Sequence, residues 1–151
     1  MIDDSVVKTG NPVLDTVLTE KSLYCEEHQI IMTCMADGSY LDFIDKVDLY
    51  TMFGNAIDNA VESVMKLTDK EKRVIQVSVF NEKNLLMIRV KNHCEGKLKF
   101  VDGLPVTTKK DKGYHGFGLK SMQHTAEKYG GTVVCQQIDT AFVLQILLPI
   151  P

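Results

Sequence analysis

Three polar side chains recur at i, i+4 and i+7 in the stretch DKVDLYTMFGNAIDNAVESVMKL (residues 45–67): Asn55, Asn59 and Glu62. On an ideal helix they fall within roughly 60° of arc. A carboxamide oxygen is a neutral, hard ligand, so asparagine suits a magnesium ion that also carries phosphate oxygens and waters. Glu62 could support the shell of such an ion or act as a base. The same spacing also describes the polar flank of an amphipathic helix, where asparagine is tolerated despite its poor helix propensity.

A second candidate is His115-Gly116-Phe117-Gly118-Leu119, where glycines meet the start of a helical pattern. Glycine lets a backbone approach a phosphate closely, and a helix start offers unpaired N–H groups and a positive dipole end. A junction that needs only flexible residues reads the same way. Lys109, Lys110 and Lys112 lie just before it. Any of them could meet a terminal phosphate, although a charge run is usually a solvated face.

The elements that would carry these residues follow from periodicity. Asp45 is a cap for the central helix, and Asp48 has the spacing of a capping box. Leu49, Met52, Phe53, Ala56, Ile57, Ala60, Val64 and Leu67 then form its apolar stripe. Upstream, Asn11-Pro12 starts a helix whose apolar positions are Val13, Leu14, Val17, Leu18 and Leu23, running to about His28. Ile30–Met35 reads as a strand, and Asp37-Gly38 as a turn into a short strand near Tyr40–Phe43. Downstream, Val74–Phe80 and Leu85–Lys91 form a hairpin through Asn81–Asn84. Residues 92–113 lack periodicity, and a loop of that length is often a functional lid. A helix from His115 to Tyr129, ended by Gly130-Gly131, precedes two closing strands, Thr132–Ile138 and Ala141–Leu148. This order gives an α/β two-layer sandwich, with helices against one face of a mostly antiparallel sheet.

The 151 residues suffice for one domain with a real core, expected over 11–151 after a loose segment 1–10. Hydrophobic residues make up 44% and charged residues 25%, the balance of an ordinary globular protein. A net charge of −3 argues against a basic nucleic-acid-binding surface. No apolar run has the length of a membrane span, so a cytoplasmic domain without membrane contact is expected. Cys25, Cys34, Cys94 and Cys135 are scattered, with no C-x-x-C pair, and read as free thiols.

The segment GNAIDNAVES resembles the N box of the GHKL nucleotide-binding superfamily, and HGFGLKSMQHTAEKYGG (residues 115–131) resembles its later glycine box and following helix. The similarity runs from about Gly10 to Pro149. It is nearest to the catalytic domains of peptide-sensing, quorum-sensing-type histidine kinases. It implies the Bergerat fold with an ATP lid, and ATP with Mg2+ as cofactors. Asn59 takes the place of the magnesium ligand, and Asn55 faces the same phosphates. In gyrase-like members a glutamate stands at the Asn55 position as general base. Asparagine cannot take a proton there, so fast ATP hydrolysis is not expected.

Val90-Lys91-Asn92-His93-Cys94-Glu95-Gly96 stands where the family has D-x-G-x-G, its first glycine box. Asn92 replaces the adenine-binding aspartate, Cys94 replaces the first glycine, and Gly96 is kept. A carboxamide oxygen can still accept from the adenine amine. The resemblance further implies phosphates bound at His115–Leu119, with Lys109 or Lys112 reaching them. It implies two partners: a phosphoacceptor histidine helix of the parent kinase and, indirectly, a response regulator. None of His28, His93, His115 and His124 sits in the family's phosphoacceptor box. The rival readings are a degenerate module regulating by protein contact and a serine kinase of the anti-sigma-factor type.

Overall fold

Two rows of buried residues on neighbouring strands organise the sheet. Ile75, Val77 and Val79 on β2 (Val74–Glu82) face the core together with Leu86, Ile88, Val90 and Asn92 on β3 (Leu85–His93). Directly paired residues share a face, and the register sets Ile75 opposite Asn92 and Val77 opposite Val90. β1 (Ile31–Ala36) lies parallel to β2, and all other pairings in this sheet are antiparallel. With β4 (Phe100–Val101) and β5 (Leu104–Pro105) forming a separate small ladder, β6 (Thr132–Ile138) and β7 (Ala141–Pro149) complete a five-stranded sheet of order β1-β2-β3-β7-β6. A computed structural model describes residues 8–105 and 115–151, with backbone alone for 115–117.

Helices α1 (Pro12–Glu27), α2 (Lys46–Met65) and α3 (His115–Lys128) cover one face of the sheet. All eight apolar positions expected on the central helix and its exit are buried, from Leu49 to Leu67. α2 is therefore the hub, packing on α1, α3, β2 and β3. In α1 the stripe runs Leu14, Val17, Leu18, Cys25, while Leu23 is 44% exposed. Cys25 lies seven residues after Leu18, two turns on, whereas Leu23 has rotated off that face. Asn11 caps α1 by accepting from the Leu14 N–H at 3.0 Å. Of the segment expected to be loose, residues 1–7 lie outside the described residues. Thr9 donates from its backbone and its hydroxyl to Asp15 Oδ1, at 2.6 and 2.7 Å.

Two local expectations are corrected. The stretch near Tyr40–Phe43 is no strand: Asp37 caps a 3-10 turn over Gly38–Tyr40 by accepting from the Ser39 N–H and hydroxyl. Leu41 and Ile44, at i and i+3, then enter the core, a spacing that no strand satisfies. Asp45 does cap α2, accepting from the Val47 N–H, but Asp48 does not fold back to close a capping box. Its carboxylate instead accepts from Tyr129 Oη at 2.5 Å and Lys128 Nζ at 2.8 Å, while the Asp45 N–H donates to Tyr129 Oη. An aspartate is too short for the reciprocal bond, and the end of α3 supplies better donors.

This latch is pH-sensitive on the acid side. The hydrogen bonds from Lys128 and then Tyr129 hold the Asp48 carboxyl below its ordinary value of 3.8. Its contribution to stability is therefore complete above that value and lost as pH falls through the lowered one. Acid titrations of unfolding are expected to show this loss in the wild type and a shallower one in Asp48→Asn. The effect is small, because Lys128 is largely in solvent.

α3 ends in a Schellman turn, with the Gly131 N–H on the Ala126 carbonyl and the Gly130 N–H on that of Glu127. Gly130 has φ +77, and at Gly131 an added Cβ would collide with the Leu147 carbonyl oxygen. Backbone cannot move aside as a side-chain tip can. Gly131→Ala is expected to cost about 3 kcal/mol, the upper end of overpacking penalties, read as a lower denaturation midpoint.

The four cysteines are free. Burial pushes the thiols of Cys25 and Cys34 up to about 11 and that of Cys135 to about 12. At neutral pH these are protonated groups and poor nucleophiles.

Candidate functional site

Asn55, Asn59 and Glu62 are half-buried on α2, at the border of its fully buried stripe. The spacing that set them on one arc of the sequence thus sets them at the core's edge. Among the described residues, no cluster of three His, Cys, Asp or Glu side chains could hold a metal ion. A divalent ion here needs oxygens brought by a ligand, which is how magnesium bound to polyphosphate behaves.

Asn92 is the end of the buried row on β3, at 2% exposure. Its Nδ2 donates to the Ser63 hydroxyl at 3.0 Å and to the His93 carbonyl at 2.9 Å. A carbonyl can only accept, so the amide nitrogen must face it, and this fixes the orientation of the side chain. The Oδ1 atom is then buried and accepts nothing from the described residues. An unmade bond at such an oxygen costs roughly 1–3 kcal/mol, so an acceptor held in this way fits a ligand that brings a donor. Ser63 stands one turn after Asn59 on α2, so its contact with Asn92 brings the two asparagines into one neighbourhood.

The segment after Asn92 is held by side chains. Cys94, which stands where the family pattern has glycine, is 3% exposed, and its N–H donates to the Thr140 carbonyl at 2.8 Å. Burial raises its thiol, with the Gln137 hydrogen bond opposing. Glu95 accepts from the Thr68 N–H at 2.7 Å and the Thr68 hydroxyl at 3.1 Å. Gly96 has φ +73, a conformation that favours glycine, which accounts for that residue being kept. Beside this segment is a groove of about 300 Å³, lined by Lys97, Leu98, Phe100, Cys135, Gln136 and Gln137, and none of the asparagines enters it.

The glycine-bearing stretch His115–Gly118 forms the first turn of α3. At Gly118 an added Cβ would meet nothing within 4 Å among the described residues, so neither packing nor backbone conformation there calls for glycine. Leu119 is 2% exposed and belongs to the core, so its side chain anchors the helix. Lys109, Lys110 and Lys112 lie outside the described residues. Sequence reasoning missed Ser63, Thr68, Glu95 and Gln137. The signal for Gln137 was available, since it continues the inward alternation Val133, Cys135 on β6 as a polar residue.

The two-layer arrangement, with its mixed sheet and three covering helices, is that of histidine kinase catalytic domains. The catalytic domain of histidine kinase ThkA, in a nucleotide-free form, superposes with a TM-score of 0.69 at 16% identity, covering 95% of this chain and 94% of that one. A second crystal form of it gives 0.70 at 17% identity, covering 95% and 93%. Histidine kinase AdeS of Acinetobacter baumannii gives 0.62 at 12% identity, covering 91% of this chain and 63% of that one. Comparison with curated proteins finds no match. The model of the GHKL domain family matches residues 44–149, and the chain belongs to that family. No described helix is long and apolar enough to cross a membrane.

Proposed function

We propose that this chain binds ATP with magnesium and is the catalytic domain of a sensor histidine kinase. Its γ-phosphoryl group would pass to a histidine on a separate phosphoacceptor helix, and from there to a response regulator. The observation that carries this reading is the buried acceptor Asn92 Oδ1, without a partner among the described residues, on a side chain bonded to Ser63, which stands one helical turn after Asn59. It suits the exocyclic amine of adenine, which is a donor, and is mismatched to the 6-oxo group of guanine.

In this reading Asn59 is the magnesium ligand and Asn55 faces the same phosphates, with Glu62 supporting the ion's shell. Magnesium, when bound, neutralises charge on the phosphoryl oxygens. Asn92 and Gly96 hold the base, while the start of α3, from His115 through Gly116, Phe117, Gly118 and Leu119, meets phosphate with the unpaired N–H groups of its first turn. Lys109 or Lys112 meets the γ-phosphate. Asn55 cannot activate water, so the site suits a nucleophile that needs no base, such as a neutral imidazole nitrogen.

The altered first glycine box favours a second reading, a regulatory module that has lost tight nucleotide binding: buried Cys94 stands in place of a glycine. Calorimetric titration of ATP, with magnesium and with chelator, decides between them. Magnesium-dependent micromolar binding supports the kinase. Absence of binding up to millimolar ATP supports the regulatory module.

A further inference from the structure

A single carboxamide on the outermost strand ties the segment after Asn92 to the sheet. Gln137 Nε2 donates to the Gly96 carbonyl at 2.6 Å and to the Asp139 carbonyl at 3.2 Å, with Cys94 Sγ at 3.4 Å. Its Oε1 accepts from the Leu98 N–H at 2.7 Å. Two carbonyls on one side and an N–H on the other fix the amide's orientation. Only a side chain with both a donor and an acceptor at this length can serve all three backbone groups. β6 supplies it because position 137 follows Val133 and Cys135 on the inward face.

The Cys94 N–H on the Thr140 carbonyl and the Glu95 carboxylate on Thr68 restrain the same segment from its two sides. Neither reaches past Glu95. Gly96 and Leu98 are held to the sheet by Gln137. In this chain, where Cys94 stands in place of the first glycine of the box, the turn that follows is pinned from three directions.

The geometry points to Gln137 as the positioning residue of the first glycine box: it fixes Gly96–Leu98 in one conformation and so sets the affinity of the site for the nucleotide base. The inference rests on the ATP-binding reading, and it concerns the base alone, because the phosphate-facing residues among those described lie on α2 and α3. A pre-ordered segment binds without the ordering cost that a loose one carries.

The test compares wild type, Gln137→Ala and Gln137→Glu by hydrogen exchange and by calorimetry with Mg-ATP and with magnesium tripolyphosphate. In Gln137→Ala the Leu98 amide is expected to lose protection while the Ile88 amide on β3, flanked by strands on both sides, keeps it, which verifies that the sheet is intact. ATP affinity is expected to fall roughly tenfold or more, with tripolyphosphate affinity unchanged. Gln137→Glu turns a carboxylate oxygen toward two carbonyls, so it is expected to match Gln137→Ala near pH 7.5. It should recover affinity toward pH 5, as its carboxyl protonates and donates again. A merely structural role would give no such recovery. The inference is overturned if Leu98 stays protected in Gln137→Ala, if ATP affinity is unchanged, or if both ligands weaken together. A wild type that binds no ATP overturns the nucleotide reading, and with it the base-affinity half of this inference. The Leu98 exchange then decides by itself whether Gln137 holds the segment.

Discussion

Asn59→Ala is expected to abolish the magnesium dependence of ATP binding, leaving the affinity at the value that wild type shows in chelator. Asn59 is half-buried at the rim of the core, and no described acidic cluster could take its place. Magnesium demands near-octahedral oxygen ligation and loses its waters reluctantly, so removing a direct protein ligand cannot be made good by rearrangement. Loss of supporting partners alone costs about 10–100-fold in metal affinity, and loss of a ligand should cost at least that. The same substitution puts the best helix former in place of a poor one, which offsets part of what is lost with the interaction Asn59 makes within the protein. Calorimetry beside thermal denaturation thus separates site from scaffold. Magnesium-dependent binding that survives in Asn59→Ala would remove this residue from the site.

Asn92→Ala is expected to lower ATP affinity about 10–100-fold and to erase preference for ATP over GTP, the equivalent of one buried hydrogen bond lost. The argument lies in the geometry of the amide. Its nitrogen is occupied by Ser63 and His93, so its oxygen is the one acceptor it can offer a base. The variant also strands the Ser63 hydroxyl and the His93 carbonyl, and a stability loss of about 1–2 kcal/mol should accompany it. Magnesium tripolyphosphate is the control, since it has no base to recognise. Equal losses for ATP and tripolyphosphate would assign Asn92 to the scaffold alone.

Much of the fold was legible because its signals are periodic. The stripe from Leu49 to Leu67 and the alternation in β2 specify which faces are buried, and those faces are the sandwich. Asn11, Asp45 and the glycine pair at 130–131 mark helix ends by local chemistry that needs no tertiary context. The misreadings fall where tertiary partners override local pattern. Asp48 leaves its own helix for Tyr129 and Lys128, and Tyr40–Phe43 follows the demands of Leu41 and Ile44 on the core. In the candidate site, Asn92 was legible by family resemblance alone, because the strand was expected to end at Lys91 and the structure carries it to His93. Ser63 was not, because its role exists only through a partner 29 residues away, and at Gln137 the alternation of β6 marks an inward polar residue without naming the carbonyl 41 residues away that it serves.

The pairing of β3 with β7 closes a long excursion of the chain, from His93 to Ala141, with a ladder of hydrogen bonds at its base. The entropy of closing such a loop grows only as the logarithm of its length, by about 0.6 kcal/mol for each doubling. A longer or shorter connection inside this excursion would therefore change the free energy of folding very little. Such a connection can diverge in length and composition faster than the sheet that frames it, while thermal stability stays put.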